Sequence, residues 1–383
     1  MKALITSAIF ATGMLTSAHA QQGNTPNYTS LKLEIENGIK TGNAYIKSKQ
    51  DAKGFWKDDT IPAYTGLAIT AAMRDPNREG TPEHIKKAYT WLLSKQKDSG
   101  AIYGKGLATY NTSISVMALC ASGEKAHHKN ILAARTFLIS MQQDHEGNKL
   151  MNKHHGGVGY GSSDPHSNLS VSYMAMEAIV TANIIARDSG EGKEDELDWE
   201  SAMKFVSRCQ NLEKTNDQPG IANDGSFNYD AASSKAGEKE LPDGRKVKRG
   251  YGSMSYAGLL SMIYAELDQD DPRVVAVKKW LNENFTLEEN PGVGQQGLYY
   301  YYNVMAKALT AANIDTLTTK DGKKIDWRKA LAERILSKQR EDGSWVNENS
   351  RWWENQPELV TPYAVITLEQ IHASMPQPAK PTK

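Results

Sequence analysis

The apolar and polar positions of this chain alternate between two kinds of helical segment. The first kind is amphipathic: in residues 85–93, Ile85, Ala88, Tyr89 and Leu92 recur at helical spacing among polar residues, so one face meets water. The second kind consists mainly of small and apolar residues and is expected to be covered on most sides. The amphipathic runs are the one that ends at Gln50 and those at 85–93, 131–141, 202–209, 274–285 and 327–338; the apolar runs are 64–69, 112–119, 172–176, 255–260, 302–306 and 362–366.

Six pairs of this kind predict an all-α fold, an (α/α)6 toroid in which six outer helices surround six parallel inner helices. An open solenoid is the alternative, but its terminal units would need polar caps. The sequence shows no such caps, so we expect a closed ring. Strand signals are sparse, and the charged insertion at 231–249 is predicted to be a surface loop.

A short motif recurs where the amphipathic runs end. A glutamine is followed by polar residues, a glycine and then an aromatic residue, and Gln50, Gln96 and Gln142 are 46 residues apart, as expected of stacked units. The glycine permits a turn with positive φ, and the glutamine can bind unpaired carbonyl groups at the helix end or in the next loop. The copies are Gln50 with Gly54 and Trp56, Gln96 with Gly100 and Tyr103, Gln142 with Gly156, Gln210 with Gly225 and Phe227, and Gln339 with Gly343 and Trp345.

The Gln-x-x-x-Gly-x-Trp segment at 339–345 resembles the QW motif of squalene-hopene and oxidosqualene cyclases, and the resemblance extends over residues 30–372. The β subunits of protein prenyltransferases share this toroid. Segments 156–161, 251–259, 294–302 and 342–349 also look like small secreted bacterial proteins with prenyltransferase/squalene oxidase repeats, a group whose activity is not established. The resemblance implies a terpenoid cyclase-like toroid with an isoprenoid or lipid as its ligand.

The catalytic motifs of those enzymes are not matched. An Asp-x-Asp-Asp sequence occurs at 268–271, but Asp271 before Pro272 is an ordinary helix start, so we interpret it as a cap. Where the resemblance places the cyclase acid motif, the chain reads Asn168 to Ser172 without an acid. The Asp-x-Cys zinc motif of prenyltransferases is absent, and Cys120 and Cys209 lie in helical runs as expected of buried free thiols. Whether the protein is an enzyme therefore stays open.

Aromatic residues gather near the starts of the inner helices, and a closed ring would bring these starts together at one mouth. We expect a ligand cavity there that contacts Tyr160, Tyr256, Tyr301 and Trp352. An aromatic, apolar cavity suits an isoprenoid or lipid, and the helix N-termini would favour an anionic head group. The alternative is that these rings only fill the centre of the toroid.

The candidate acid/base pair, should chemistry occur, is Asp164 with His166. Together with His154 and His155 these residues could hold a metal, but they show no regular ligand spacing, so we predict neither a metal site nor a cofactor. Glu348, Glu354 and Glu358 lie in the last loop, toward the same mouth. Other (α/α)6 barrels cleave polysaccharides with paired carboxylates, which makes a polysaccharide-active enzyme a further alternative.

Charge and the chain ends complete the prediction. The 45 basic and 45 acidic residues balance, so nothing indicates nucleic-acid binding. Residues 1–20 resemble a signal peptide, with Lys2, an apolar run and a small-x-small site at 18–20, so we expect a periplasmic or secreted protein without a transmembrane segment in the mature chain. The toroid is assigned to 21–372, and the Pro-rich tail at 373–383 is expected to be disordered. The expected partner is a hydrophobic small molecule, or a protein if the toroid is a non-catalytic binding module.

Overall fold

The computed structural model of the protein describes residues 28–148, 150–161, 166–190 and 196–376. The predicted signal peptide, Asp164 and the last seven tail residues lie outside these ranges. Within them the chain forms twelve α-helices. They are α1 (Thr29–Ser48), α2 (Pro62–Arg74), α3 (Glu83–Leu93), α4 (Ala108–Ala121), α5 (His128–Ser140), α6 (Leu169–Ser189), α7 (Trp199–Cys209), α8 (Gly252–Tyr264), α9 (Pro272–Glu283), α10 (Leu298–Ala311), α11 (Trp327–Leu336) and α12 (Pro357–Ser374).

The even-numbered helices form an inner ring and the odd-numbered helices pack around it. Each inner helix contacts the next, from α2 through α4, α6, α8 and α10 to α12, and α12 packs back against α2. The outer helices α11 and α1 also contact each other across this seam. The predicted double ring of six outer and six inner helices is therefore confirmed, and it is closed. Helix α12 ends at Ser374, two residues beyond the predicted end of the toroid.

Two small antiparallel hairpins are inserted between helices of the ring. Strands β1 (Glu238–Glu240) and β2 (Lys246–Lys248) pair within the insertion that the sequence predicted as a loop. Strands β3 (Thr316–Thr318) and β4 (Lys324–Asp326) pair between α10 and α11, where the sequence analysis predicted no strand. Three-residue runs of this kind carry too little alternation to be recognised in the sequence.

The repeated glutamines join neighbouring units. In five units the Nε2 group of the glutamine donates to the carbonyl of its own loop glycine and to a second acceptor on the next outer helix or its N-cap. Gln339 makes the corresponding bonds across the seam, to Gly38 O at 3.0 Å and Thr41 Oγ1 at 2.8 Å in α1. The other second acceptors are the carbonyls of His84 for Gln50, Asn130 for Gln96, Asp198 for Gln142 and Arg273 for Gln210.

The loop glycines are required by both conformation and space. Gly54, Gly100, Gly156, Gly225 and Gly343 have φ between 83° and 103°, a region that other residues rarely adopt. A Cβ on Gly100 would lie 2.1 Å from a backbone carbonyl of the next outer helix, and one on Gly343 would lie 2.5 Å from such a carbonyl. The loops therefore pack their backbone directly on the neighbouring helix.

The fifth unit departs from this scheme. Asn290 stands in the position of the glutamine and bridges to Gly294. Its side chain turns to the inner helix: Oδ1 accepts from Ser253 N at 2.9 Å, and Nδ2 donates to Ser253 Oγ at 3.1 Å. Asn290 thus caps the start of α8 instead of linking two outer helices.

Helix α6 is long and apolar enough to cross a membrane by length and composition alone. It is also an inner helix of the ring, and most of its residues are buried against other parts of the protein. Its apolar composition is explained by that position.

Candidate ligand-binding site

A cavity of about 400 Å³ lies at the end of the ring where the inner helices begin. Its walls come from the first turns of α4, α6, α8, α10 and α12 and from the loops that precede them. The lining residues are Leu107, Tyr110, Tyr160, Ser170, Met174, Tyr229, Tyr251, Ser253, Met254, Gly297, Tyr300, Arg351, Trp352, Trp353, Glu354, Leu359 and Tyr363. The lining is thus dominated by aromatic rings and methionine side chains.

The rim of this cavity contains unusual backbone. Leu107, Trp352 and Trp353 have φ values of 50°, 55° and 64°, in the left-handed region that costs a non-glycine residue roughly 1–3 kcal/mol when it is held there. The two tryptophans are 38% and 48% exposed, so their rings stand at the opening. Gly297 makes room for one of them, because a Cβ at this position would lie 2.9 Å from the Trp352 ring. Strained residues of this type concentrate at functional sites.

Six lining hydroxyl groups form three pairs. Tyr229 donates to the Tyr160 hydroxyl at 3.2 Å. Ser170 and Tyr300 are 2.7 Å apart. Tyr110 and Tyr363 are 3.4 Å apart. Each pair joins two segments that are distant in sequence, and together they fix how the rings face one another.

Three lining tyrosines, Tyr110, Tyr300 and Tyr363, remain uncharged over the physiological pH range because burial raises the pKa of each. Burial raises the pKa of Tyr110 to about 12. Burial raises the pKa of Tyr300 and of Tyr363 as well, and the Tyr300 ring packs edge-on against Tyr363 with centroids 6.3 Å apart. These phenols therefore act as hydrogen-bond donors and acceptors, and not as phenolate bases.

Glu354 is the one acidic side chain among the described lining residues, and it is 2% exposed. Its carboxylate accepts hydrogen bonds from Tyr300 N at 2.8 Å, Tyr299 N at 3.3 Å and Asn347 Nδ2 at 2.8 Å. Burial raises the pKa of Glu354, and these hydrogen bonds oppose the rise because they favour the ionised form. The side chain thus clamps the last loop onto the N-terminus of α10, where a negative charge is stabilised.

Two of the four residues predicted for the cavity do line it. Tyr160 and Trp352 are lining residues, whereas Tyr256 and Tyr301 are not. Tyr301 packs its ring against Tyr256 at the contact of α10 with α8, with centroids 5.8 Å apart, and donates to Thr286 O. Successive helical residues point about 100° apart, so that in the run 299–302 Tyr300, and not Tyr301, lines the cavity.

The sequence reasoning missed most of the tyrosine lining. Tyr110 lies in the first turn of α4, so the rule that selected residues at inner-helix starts applies to it as well. Tyr363 lies in the second turn of α12, and Tyr229 comes from the loop before β1. The sequence contains no signal for Tyr229, because only the folding of its loop brings it beside Tyr160.

The described members of the candidate His/Asp group are not gathered around one point. His154 is buried, and its ring meets His166 edge-on with centroids 4.9 Å apart. The His155 ring instead faces α7, where Nε2 lies 3.1 Å from Ser201 Oγ, and its Nδ1 accepts from His145 N. Asp164 is outside the described residues. In the described ranges no three His, Cys, Asp or Glu side chains are placed to hold a metal ion.

The remaining acidic candidates have ordinary roles. Asp271 is the N-cap of α9 and accepts from Arg273 N at 2.8 Å, which confirms the capping interpretation. Glu358 pairs with Lys57 at 3.7 Å, and Glu348 is exposed.

Cys120 and Cys209 are buried free thiols whose pKa is raised by burial, in agreement with the sequence analysis.

No protein-family model and no curated protein sequence matches this chain significantly. Solved structures do match its fold. The type II terpene cyclase MstE from Scytonema aligns at 13% identity and a TM-score of 0.52, over 88% of this chain and 98% of that chain. A variant of that cyclase in complex with its substrate geranylgeranyl dihydroxybenzoate aligns at 12% identity and a TM-score of 0.52, over 91% of this chain and 99% of that chain.

A second enzyme class has the same fold. The GH76A α-1,6-mannanase from Salegentibacter sp. HEL1_6 aligns at 10% identity and a TM-score of 0.53, over 89% of this chain and all of that chain. At these identities the likeness establishes the architecture and not the activity. The protein is therefore an α/α toroid, built like a terpene cyclase and like a mannanase.

Proposed function

We propose that this protein binds an isoprenoid or another lipid-like ligand in the cavity at the mouth of the toroid. The observation that carries the proposal is the aromatic and methionine lining of a cavity of about 400 Å³, a size typical of small-molecule sites. Apolar rings and thioethers favour an apolar ligand, because its burial removes hydrocarbon surface from water. The isoprenoid substrate of the cyclase with the same fold is compatible with this choice of ligand.

The acidic groups at the mouth favour binding over hydrolysis. A glycosidase needs two carboxyl groups that flank the scissile bond. Among the described lining residues Glu354 is the one carboxyl group, and N–H donors already bind both of its oxygens. These bonds engage the carboxyl group in the clamp on the start of α10. A binding toroid is therefore our first choice, and residues 1–20 extend the proposal to a protein that works outside the cytoplasm.

The test is a fluorescence titration with the neutral apolar probe N-phenyl-1-naphthylamine, followed by its displacement with farnesol. Met174→Trp places a large ring in the cavity and is expected to weaken probe binding at least tenfold. Met203→Trp is the matched control, since Met203 is a similarly buried methionine on the outer helix α7, away from the cavity. The control variant should bind the probe like the wild-type protein.

Two outcomes would contradict the proposal. One is a wild-type protein that binds neither the probe nor farnesol. The other is a Met174→Trp variant that keeps both the melting temperature and the probe affinity of the wild-type protein. In that case the cavity would not be the binding site.

A further inference from the structure

The cavity is lined mainly by apolar rings, but it also contains hydrogen-bonding groups. Three hydroxyl pairs line it: Tyr110 with Tyr363, Tyr160 with Tyr229, and Ser170 with Tyr300. They come from α4, α6, α10 and α12 and from two loops, so the fold gathers them from separate parts of the chain.

Each pair leaves one hydrogen unused. A hydroxyl group carries one hydrogen, so a pair that makes one bond between its members spends one of its two hydrogens. In the pair of Tyr160 with Tyr229, Tyr229 is the donor, and Tyr160 therefore keeps its hydrogen. In the pair of Tyr110 with Tyr363 and in the pair of Ser170 with Tyr300 either member can be the donor, so each of these pairs also keeps one hydrogen.

All six hydroxyl groups belong to residues that line the same cavity, and each pair contributes one hydrogen to it. Three O–H donors thus converge in a space whose other walls are largely hydrocarbon.

The surroundings of these donors do not favour a negatively charged ligand. Arg351 is the one cationic side chain among the described lining residues, and it is exposed at the rim, with its guanidinium 5.5 Å from the centre of the Trp352 ring. Three of the five helix N-termini at this mouth, which the sequence analysis expected to attract an anionic head group, already have side-chain caps. Glu354 caps α10, Asn168 Oδ1 caps α6 and Asn290 Oδ1 caps α8. An anion held by neutral donors beside the Glu354 carboxylate would lose more hydration than it regains.

We propose that the hydroxyl pairs of Tyr110, Tyr160 and Tyr300 form a donor site for an uncharged carbonyl oxygen, so that the ligand is an apolar chain bearing a ketone or quinone group. This inference rests on the proposed function and names the class of ligand. A carbonyl oxygen has two lone pairs and can accept from two of these hydroxyls, while its hydrocarbon part contacts the aromatic and methionine walls. A hydrocarbon would leave the O–H donors unpaired, and an unpaired buried donor weakens binding.

The experiment compares three ligands with the same branched chain: the ketone geranylacetone, the hydrocarbon with CH₂ in place of its carbonyl group, and a carboxylic acid of the same length at pH 8. Each displaces N-phenyl-1-naphthylamine from the wild-type protein and from Tyr110→Phe, Tyr160→Phe and Tyr300→Phe. We expect the wild-type protein to bind the ketone about tenfold more tightly than either of the others. Each Phe variant should lose about two- to tenfold in ketone affinity and nothing in hydrocarbon affinity.

Tyr299→Phe is the matched control, because Tyr299 is buried on the same helix but does not line the cavity. The variants keep their rings, and unchanged melting temperatures would show that the wall is intact. The inference is overturned if the hydrocarbon or the acid binds as tightly as the ketone, or if the three variants bind the ketone like Tyr299→Phe. Those results would leave the proposed lipid site standing, whereas a wild-type protein that binds none of the probes would refute the proposed function itself.

Discussion

Closure of the ring predicts that Gln339 contributes as much to the free energy of unfolding as a glutamine inside the array. Its Nε2 group donates to Gly38 O and Thr41 Oγ1 in α1 and to Gly343 O in its own loop, at 2.8–3.0 Å. Gln96 makes the equivalent bonds within the array, to Gly100 O and Asn130 O. An amide NH₂ group carries two hydrogens, so each side chain provides about two net hydrogen bonds at about 1 kcal/mol each, and truncation also leaves part-buried acceptors unpaired. We expect Gln339→Ala and Gln96→Ala each to lower the free energy of unfolding by about 2–3 kcal/mol.

Urea denaturation followed by tryptophan fluorescence measures both values, since the buried Trp345 lies in the loop after Gln339 and the buried Trp91 lies in α3, shortly before Gln96. In an open array the partners of Gln339 would be missing, and its substitution would be nearly neutral. A loss below about 0.5 kcal/mol for Gln339→Ala, together with the full loss for Gln96→Ala, would refute closure through this contact. Deletion of residues 327–372 should agree with the point variant and unfold the whole protein, because α12 contacts both α1 and α2.

Three further predictions test the loops, the cap and a buried acid. Gly100→Ala should cost at least about 2 kcal/mol of unfolding free energy in urea titrations, because its Cβ would lie 2.1 Å from Ala133 O, whereas Gly106→Ala, at φ 66° in open space, should cost only about 1 kcal/mol. Asp271→Ala should lower stability by about 1 kcal/mol and leave probe binding unchanged; lost binding at an unchanged melting temperature would mean that the acid sequence at 268–271 has a functional role. Glu369 is 3% exposed and both of its carboxyl oxygens lack a partner, so burial raises its pKa well above 4.5. The folded state then binds this proton more tightly than the unfolded state, and stability falls as the pH rises from 4.5 through the folded pKa. Glu369→Gln should flatten this fall and raise the melting temperature at pH 8, and a variant that is less stable than the wild-type protein at that pH would contradict the reasoning.

The helices and their order could be predicted because each depends on local spacing. All six outer and six inner helices lie where the periodicity placed them, and the glutamine-glycine loops make the bonds that their residue types suggested. In the fifth unit Asn290 replaces the glutamine, and the sequence shows this only as a missing copy of the motif. That Asn290 caps an inner helix follows from the fold, since Ser253 is 37 residues away along the chain.

The cavity could be predicted in position but not in its side chains. The starts of parallel inner helices in a closed ring must meet at one mouth, so the location follows from the repeat. Which tyrosine of a run faces that mouth depends on the rotation of its helix about its own axis, and a boundary error of one residue changes the answer by about 100°. The sequence analysis predicts Tyr301 as a lining residue, whereas Tyr300 lines the cavity. The repeat pattern does not contain the information that separates the two.

Glu354 shows how the strained rim and the donor site depend on one another. It directly follows Trp352 and Trp353, whose left-handed backbone would not persist without a strong anchor. The anchor is its buried carboxylate, which accepts from Tyr299 N and Tyr300 N at the start of α10, while its backbone carbonyl accepts from Asn347 N. The residue that holds the tryptophans at the opening therefore also fixes the helical turn that presents Tyr300 to the cavity. Because the carboxyl group is engaged in this clamp, its role is to position the donors of the proposed site, in which neutral hydroxyls and aromatic rings would contact the ligand.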